Sequence, residues 1–361
     1  MARQTGKPKK RRIVGGVDTH AGTHHAAVTL MNGGRIADAE FPATQQGYTD
    51  LLAWLGSFGR VHAVGVEGTG SYGAGLTRHL RASGITVVEV NRPDRRQRRN
   101  QGKSDPLDAY AAAEAVLAGR ARALPKGGNG IIESIRLLHL TRAGAVKART
   151  AATNELHAVL ITAPAPLREQ LTGLTTRELA AACARLRPTT GALPDPLQAT
   201  KLALRHLARR HQALTTEITT LDHHLKTLVT QARPGLLAIP GVGVETAAQL
   251  LITCGDNPDR LTTPAAFAAL CGTAPIPASS GKTTRHRLSR GGDRQANRAL
   301  HLIALSRMAH DPRTRAYTDR RTHEGLTKKE IIRCLKRYLA RELHKALTST
   351  NTTKNQPQPA T

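Results

Sequence analysis

Asp18, Glu67, Asp105 and Asp108 are carboxylates set at points of the chain where extended or helical segments end or begin. Asp18 closes IVGGVD, Glu67 closes VHAVGVE, and Asp105 and Asp108 stand three residues apart in GKSDPLDA. Hard divalent cations such as Mg²⁺ bind through a few carboxylates plus substrate phosphate oxygens, and two ions about 3.5–4 Å apart stabilise both oxygens of an in-line displacement. A lone Asp reads better as a helix cap or a solvated side chain than as a metal ligand. Asp105 can cap its helix beside Ser104, and Glu67 can merely precede the turn GTGSYG. Their joint placement favours a shared site for two Mg²⁺ ions, with Mn²⁺ able to substitute.

A second group of chemically capable residues lies far downstream, in Ser279, Ser280, Gly281, Lys282, Arg285, His286, Arg287, Ser289, Arg290 and Arg294. A serine hydroxyl attacks phosphorus only when it is activated and when cations stabilise the charge that develops. This stretch holds hydroxyls, cations and a glycine that lets backbone approach a phosphate. Taken alone, SSGK is more often a turn than a nucleophile. His20 and His286 are possible proton acceptors for such a serine, although a lone histidine is commonly structural.

The surrounding composition narrows the substrate. The 361-residue chain carries 53 Lys and Arg against 26 Asp and Glu, a formal charge of +27, which attracts polyanions over long range. Aromatic residues are only 2% of the chain, which argues against single-strand binding by base stacking and for backbone contacts. Arg92, Arg95, Arg96, Arg98, Arg99 and Lys103 crowd one loop, NRPDRRQRRNQGK. The four cysteines have no CxxC spacing and indicate neither a zinc site nor a disulfide framework. No apolar run reaches the roughly 18 residues of a membrane span, and MARQTGKPKKRR reads as a phosphate-binding arm rather than a leader. A cytoplasmic protein that associates with the nucleoid when it acts is expected.

The elements that must position these groups follow from periodicity. IVGGVD, HAAVTLM and RIADAEF read as three strands, with Asn32-Gly33-Gly34 turning the second into the third. A helix over Gln45–Leu55, the strand VHAVGVE, a helix over Ser71–Arg81 and the strand ITVVEV complete an α/β order of RNase H-like type. Ser104 and Pro106 suit the start of a helix over SDPLDAYAAAEAVLA, which places Asp105 and Asp108 on one face. Glu133–Val159 and Lys201–Val229 read as long helices. In the second, Leu204, Leu207, His211, Leu214, Ile218, Leu221, Leu225 and Leu228 form an a/d seam, fit either for an intramolecular hairpin or for joining protomers. LLAIPGVGVETAAQLL has a helix-hairpin-helix layout, in which Gly241 and Gly243 could bring backbone N–H groups to a phosphate.

The ordered series VDTH, VGVEGTGSYG, EVNRPDRRQRR, GKSDPLDA, AIPGVGVETAAQL and CGTAPIPASSGKTTRHRLSRGGDRQANRAL resembles the DEDD transposases of the insertion sequence 110 family over almost the whole chain. That resemblance implies a RuvC-like domain joined to a C-terminal transposase domain, with Asp18, Glu67, Asp105 and Asp108 binding Mg²⁺. It also implies that a serine attacks the scissile phosphate to form a covalent DNA intermediate. By position that serine is Ser280, with Ser279 its neighbour. Double-stranded DNA, a structured guide RNA and a homo-oligomer, dimer or tetramer, are the implied partners. Members often carry Lys and then an acid after the VDTH segment, where this chain has Ala21 and Gly22.

The organisation expected is a basic arm over 1–12, a RuvC-like α/β domain over 13–125, a helical coiled-coil region over 126–230, a mostly helical transposase domain over 231–347 and a tail over 348–361. Strand exchange that excises and inserts a mobile element is the activity expected. A Mg²⁺-dependent junction nuclease that uses water, and a catalytically decayed nucleic-acid-binding protein, are the alternatives.

Overall fold

The computed structural model describes residues 11–90, 104–257, 261–282, 286–287 and 289–348. The described residues fall into two compact units, one drawn from Met1–Gly130 with Cys254–Thr262 and the other from Ile131–Thr253 with Thr263–Thr361.

The first unit is α/β. Strands β1 (Arg12–Thr19), β2 (Thr23–Leu30) and β3 (Arg35–Pro42) form an antiparallel meander. Helix α1 (Gln45–Phe58), strand β4 (Arg60–Glu67), helix α2 (Ala74–Ala82), strand β5 (Val87–Val90) and helix α3 (Asp105–Leu117) follow. Among the described residues the sheet has the order β3-β2-β1-β4-β5, with β4 parallel to both β1 and β5. A β-strand alternates its side chains between faces, so each inner strand serves two layers. Ile13, Val17, Val64 and Val66 join Leu51 and Leu55 of α1 and Leu76 and Leu80 of α2 in one core. Gly16, Gly65 and Ala27 turn the other way, towards α3.

Two expectations are adjusted here. Arg12 opens β1 rather than belonging to an arm. Residues 254–257 join this unit, where Gly128 N–H donates to Asp256 Oδ2 at 3.2 Å and Asn257 Nδ2 donates to Pro125 O at 3.0 Å.

The second unit is mostly helical. Helix α4 (Ile131–Ile161) is followed by the short helices α5 (Ala165–Leu171) and α6 (Thr176–Ala184), then by α7 (Pro196–Ala232). The segment between the long helices thus carries two short helices. A reciprocal capping box at Thr175 and Glu178 starts α6. The long helices run antiparallel, since Arg142 pairs with Asp222 while Glu155, further along α4, pairs with Arg210, nearer the start of α7. Leu204, Ile218, Leu221 and Leu225 of the α7 seam are buried, along with Ala208 and Val229. Leu156 and Leu160 of α4 pack with Leu204, and with Leu167, Leu171 and Leu179 of the connecting helices.

The unit continues through α8 (Pro234–Leu237), α9 (Val244–Cys254), α10 (Pro264–Leu270), the paired strands β6 (Ile276–Pro277) and β7 (His286–Arg287), α11 (Arg294–His310), α12 (Pro312–His323) and α13 (Lys328–Thr348). The first helix of the expected helix-hairpin-helix is a single turn of four residues. Asp293 starts α11 by accepting from the N–H groups of Gln295 and Ala296, at 2.8 and 3.2 Å. Among the described residues no helix is long and apolar enough to cross a membrane.

Candidate active site

The register of β1 and β4 puts Val17 beside Val66, one residue before Asp18 and Glu67. Both carboxyl-bearing residues therefore stand at the same end of the sheet, on the face that carries Gly16 and Gly65. Those glycines set the height of α3 above the sheet. A Cβ on Gly16 would lie 2.1 Å from Ala109 O and 2.4 Å from Ala113 N, and one on Gly65 would lie 2.7 Å from Ala112 O. The helix backbone thus rests directly on the strands, and its first turn delivers Asp105 and Asp108 to the strand ends.

Asp18 is buried at 7% exposure, Asp108 is buried at 6%, and Asp105 is exposed. Burial raises the pKa of Asp18. His20 opposes that shift, while the charges of Asp108 and Asp105 add to it. His20 Nε2 lies 3.6 Å from Asp18 Oδ2 and 3.6 Å from Asp105 Oδ1. Ligand atoms of Asp18, His20 and Asp105 all fall within 4.8 Å of one another, a spacing at which the three could hold a metal ion. A cation there would relieve the repulsion and desolvation that raise Asp18. Two carboxylates suit a hard divalent ion, and an imidazole also accommodates first-row transition metals.

Glu67 lies one strand away and half-buried, with its backbone oxygen accepting from Thr19 Oγ1 at 2.8 Å. Ser104 occupies the N-cap position of α3 with extended backbone, but among the described residues its hydroxyl makes no capping bond to the helix. The N-terminal turn of α3 instead meets two acids, a favourable match for the helix dipole. The sequence presents His20 only as a possible proton acceptor, whereas the structure places it within the acid cluster. That place is legible from spacing, since residues two apart at a strand end face the same way. Ala21 and Gly22 are exposed in the turn from β1 to β2, where His20 N–H donates to Thr23 O at 3.0 Å.

The serine group stands in the second unit. Ser279 and Ser280 are exposed on the connection between β6 and β7, and Gly281 follows with φ +54°. Lys282, Arg287, Arg290 and Arg294 are exposed, with Arg294 in the first turn of α11. Gly241 has φ +78°, and a Cβ on it would meet Arg307 Cγ at 3.1 Å and Ile303 O at 3.2 Å. Gly243 N–H donates to Thr246 Oγ1 at 3.0 Å. Gly241 thus has a packing and backbone reason to be glycine, whereas a Cβ on Gly243 would meet nothing within 4 Å. Arg92, Arg95, Arg96, Arg98, Arg99, Lys103 and Arg285 lie outside the described residues.

Comparison with known proteins locates both units. Residues 15–163 match a family model described as a transposase of the DEDD type of IS110, and residues 234–319 match one described as transposase, IS116/IS110/IS902 family. The chain is 36% identical over 148 residues to an uncharacterized 43.6 kDa protein of insertion element IS110 from Streptomyces coelicolor, across 40% of this chain and 35% of that one. It is 31% identical over 134 residues to an uncharacterized 42 kDa protein of insertion element IS900 from Mycobacterium paratuberculosis, across 36% and 34%. A transposase for insertion sequence element IS1328 from Yersinia enterocolitica is 27% identical over 232 residues, across 62% and 65%. The matches thus span about a third of the length of the first two relatives and about two thirds of the third.

Proposed function

The chain belongs to the IS116/IS110/IS902 family of transposases, and from that premise we propose that it catalyses DNA strand exchange for an insertion sequence by metal-assisted phosphoryl transfer to a serine. The observation that carries this reading is the convergence of buried Asp18 with Asp105 and His20, beside Asp108, in a protein of charge +27. The sheet order β3-β2-β1-β4-β5 with α3 laid over it supports treating the first unit as RNase H-like, of the RuvC type.

Asp18, Asp105 and Asp108, with Glu67 completing the set, are the residues proposed to hold Mg²⁺ or Mn²⁺. Such an ion supplies Lewis-acid polarisation of a phosphoryl oxygen and neutralises charge as it develops. The task of this chain is to fix the carboxylates. β1 and β4, both inner strands, hold Asp18 and Glu67 at one end of the sheet, and the close seat of α3 fixes Asp105 and Asp108. Ser280 is the proposed nucleophile. Its Oγ–phosphorus bond forms as one phosphodiester P–O bond breaks and frees a sugar hydroxyl. Attack by a second sugar hydroxyl on the phosphoserine then restores a phosphodiester and returns Ser280, so no external energy source is needed.

The surplus of cations over aromatics supports grip on backbone rather than on bases. It is compatible with a guide RNA that supplies sequence by pairing while the protein holds shape. A homo-oligomer completes the reading, because exchange requires breaks in more than one duplex.

Calorimetric titration with Mn²⁺ tests the metal half of the proposal. Asp18→Asn and Asp105→Asn are expected to weaken binding by more than the roughly 10–100-fold that loss of an outer partner alone costs. Asp50→Asn, on α1, should bind as the parent does. Equal Mn²⁺ affinity in all four proteins would refute the assignment.

A further inference from the structure

The second unit contains a cavity of about 520 Å³ that the acids and Ser280 do not explain. Its walls are the Gly272–Pro275 turn after α10, the strand β7, and the facing parts of α12 and α13. Five cationic side chains line it: Arg287, Arg321, Arg333, Lys336 and Arg337. Among the described residues the one carboxylate in the lining is Glu330, which pairs with Arg333 at 3.7 Å. The volume lies within the range of about 300–1,000 Å³ typical of sites that enclose a small ligand or a comparable part of a larger one.

One of these cations is built in rather than merely present. Lys336 is only 7% exposed, a rare condition for a lysine, and burial lowers its pKa. Its ammonium donates to Asn297 Oδ1. Asn297 cannot turn away, because its Nδ2 donates to the carbonyls of Cys271 and Gly272 at 2.8 and 3.1 Å. The cavity floor is therefore a chain of fixed dipoles that ends in a positive charge, and among the described residues no ion pair neutralises Lys336. Arg321 reaches Glu324 through its terminal nitrogen, yet its Nε is buried without a partner among the described residues. Arg337 is exposed at the rim, with no ion pair among the described residues. Buried donors of this kind are costly unless something accepts from them.

We propose that this cavity is a phosphate clamp, which seats a backbone phosphate of the DNA strand engaged by the β6–β7 connection that carries Ser280. The ligand chemistry is a phosphodiester. Its oxygens would accept from Lys336 and from guanidinium groups suited to planar, paired donation. β7 supplies Arg287 to the wall and follows directly on the segment that holds the serine. A strand held here would be registered against that segment by backbone contacts, which position without reading sequence. The inference rests on the transposase reading above, and it adds a residue set that reading does not include.

The test is fluorescence anisotropy on the full chain with a labelled random-sequence DNA duplex and an RNA of the same sequence, over a range of salt and without divalent metal, so that no strand is cut. Each phosphate that the protein no longer neutralises lowers the magnitude of the log–log salt slope by about 0.9 for duplex DNA. Arg337→Ala should reduce the slope by about that amount, and Arg337→Lys should restore it. Arg315→Ala, which removes another exposed cation, on α12 outside the cavity, should leave the slope unchanged. Lys336→Met should weaken binding further, but it bears on a buried position, so the rim variants keep the test decisive if that protein fails to fold. An unchanged slope in Arg337→Ala, an equal fall in Arg315→Ala, or a fall with RNA alone would overturn the clamp. A reduced slope in a protein that never forms a DNA adduct would leave the clamp standing and sink the serine step instead.

Discussion

At the scale of single residues, the centre of the protein is defined by a charge held where charge is expensive. Asp18 is buried beside two further carboxylates, and burial is the largest cause of its raised pKa. Removing that charge should relieve local repulsion, so Asp18→Asn is expected to hold or raise the thermal midpoint while abolishing metal-dependent strand cleavage. A calorimetric scan beside a cleavage assay checks both, and loss of stability together with activity would mean that Asp18 is structural. His24, directly across the β1–β2 ladder from Thr19, behaves differently. It is fully buried, stacked on Tyr48 at 5.6 Å, and its Nε2 has no partner among the described residues. Burial depresses its pKa below the ordinary 6.5. The unfolded chain therefore binds more protons than the folded one below that value, and stability rises with pH through the window and is complete above it. Melting at acid and neutral pH should show a midpoint gap that shrinks in His24→Leu, and an unchanged gap would assign the acid sensitivity elsewhere.

At the scale of elements, Gly16 and Gly65 decide where α3 sits, and α3 decides where Asp105 and Asp108 sit. Gly16→Ala would drive a methyl into the backbone of Ala109 and Ala113, which cannot swing aside as a side chain can. A loss of about 1–3 kcal/mol is expected from the overpacking alone, along with weakened Mn²⁺ binding as the helix lifts. Chemical denaturation and the metal titration read the two effects separately, and a variant that melts like the parent would contradict this account of the helix seat. In the second unit, Leu225 on α7 is fully buried, and Leu225→Ala should cost about 2–5 kcal/mol in the same denaturation measurement.

The strands that end in Asp18 and Glu67 are legible in the sequence because alternation and turn glycines leave little freedom. So is α3, from Pro106 and the alanine run. The register of β1 on β4 and the direct seat of α3 on glycine are not legible, because they depend on which strands become neighbours. The α7 seam is visible as a stripe, but its partner is not, and α4 emerges as the helix that covers it. The helices α5 and α6 are hidden by prolines and threonines that turn out to cap helices rather than break them.

At the scale of the whole molecule, two units of different construction hold the two proposed residue groups, acids at the strand ends of one and hydroxyls among cations on the other. The charge of +27 attracts polyanions over long range. Duplex affinity should therefore fall steeply as salt rises, with a log–log slope of about −0.9 per neutralised phosphate. The central claim is that the acids of the first unit activate a phosphate for Ser280 of the second. It is tested most directly by incubating the full chain with Mg²⁺, element-end DNA and the transcribed element-end RNA, then looking for a protein–DNA adduct that survives denaturant. An adduct is expected in the parent protein and is expected to be absent from both Ser280→Ala and Asp18→Asn. An adduct retained in Ser280→Ala, or strand exchange that proceeds in that variant with no adduct at all, would contradict the claim.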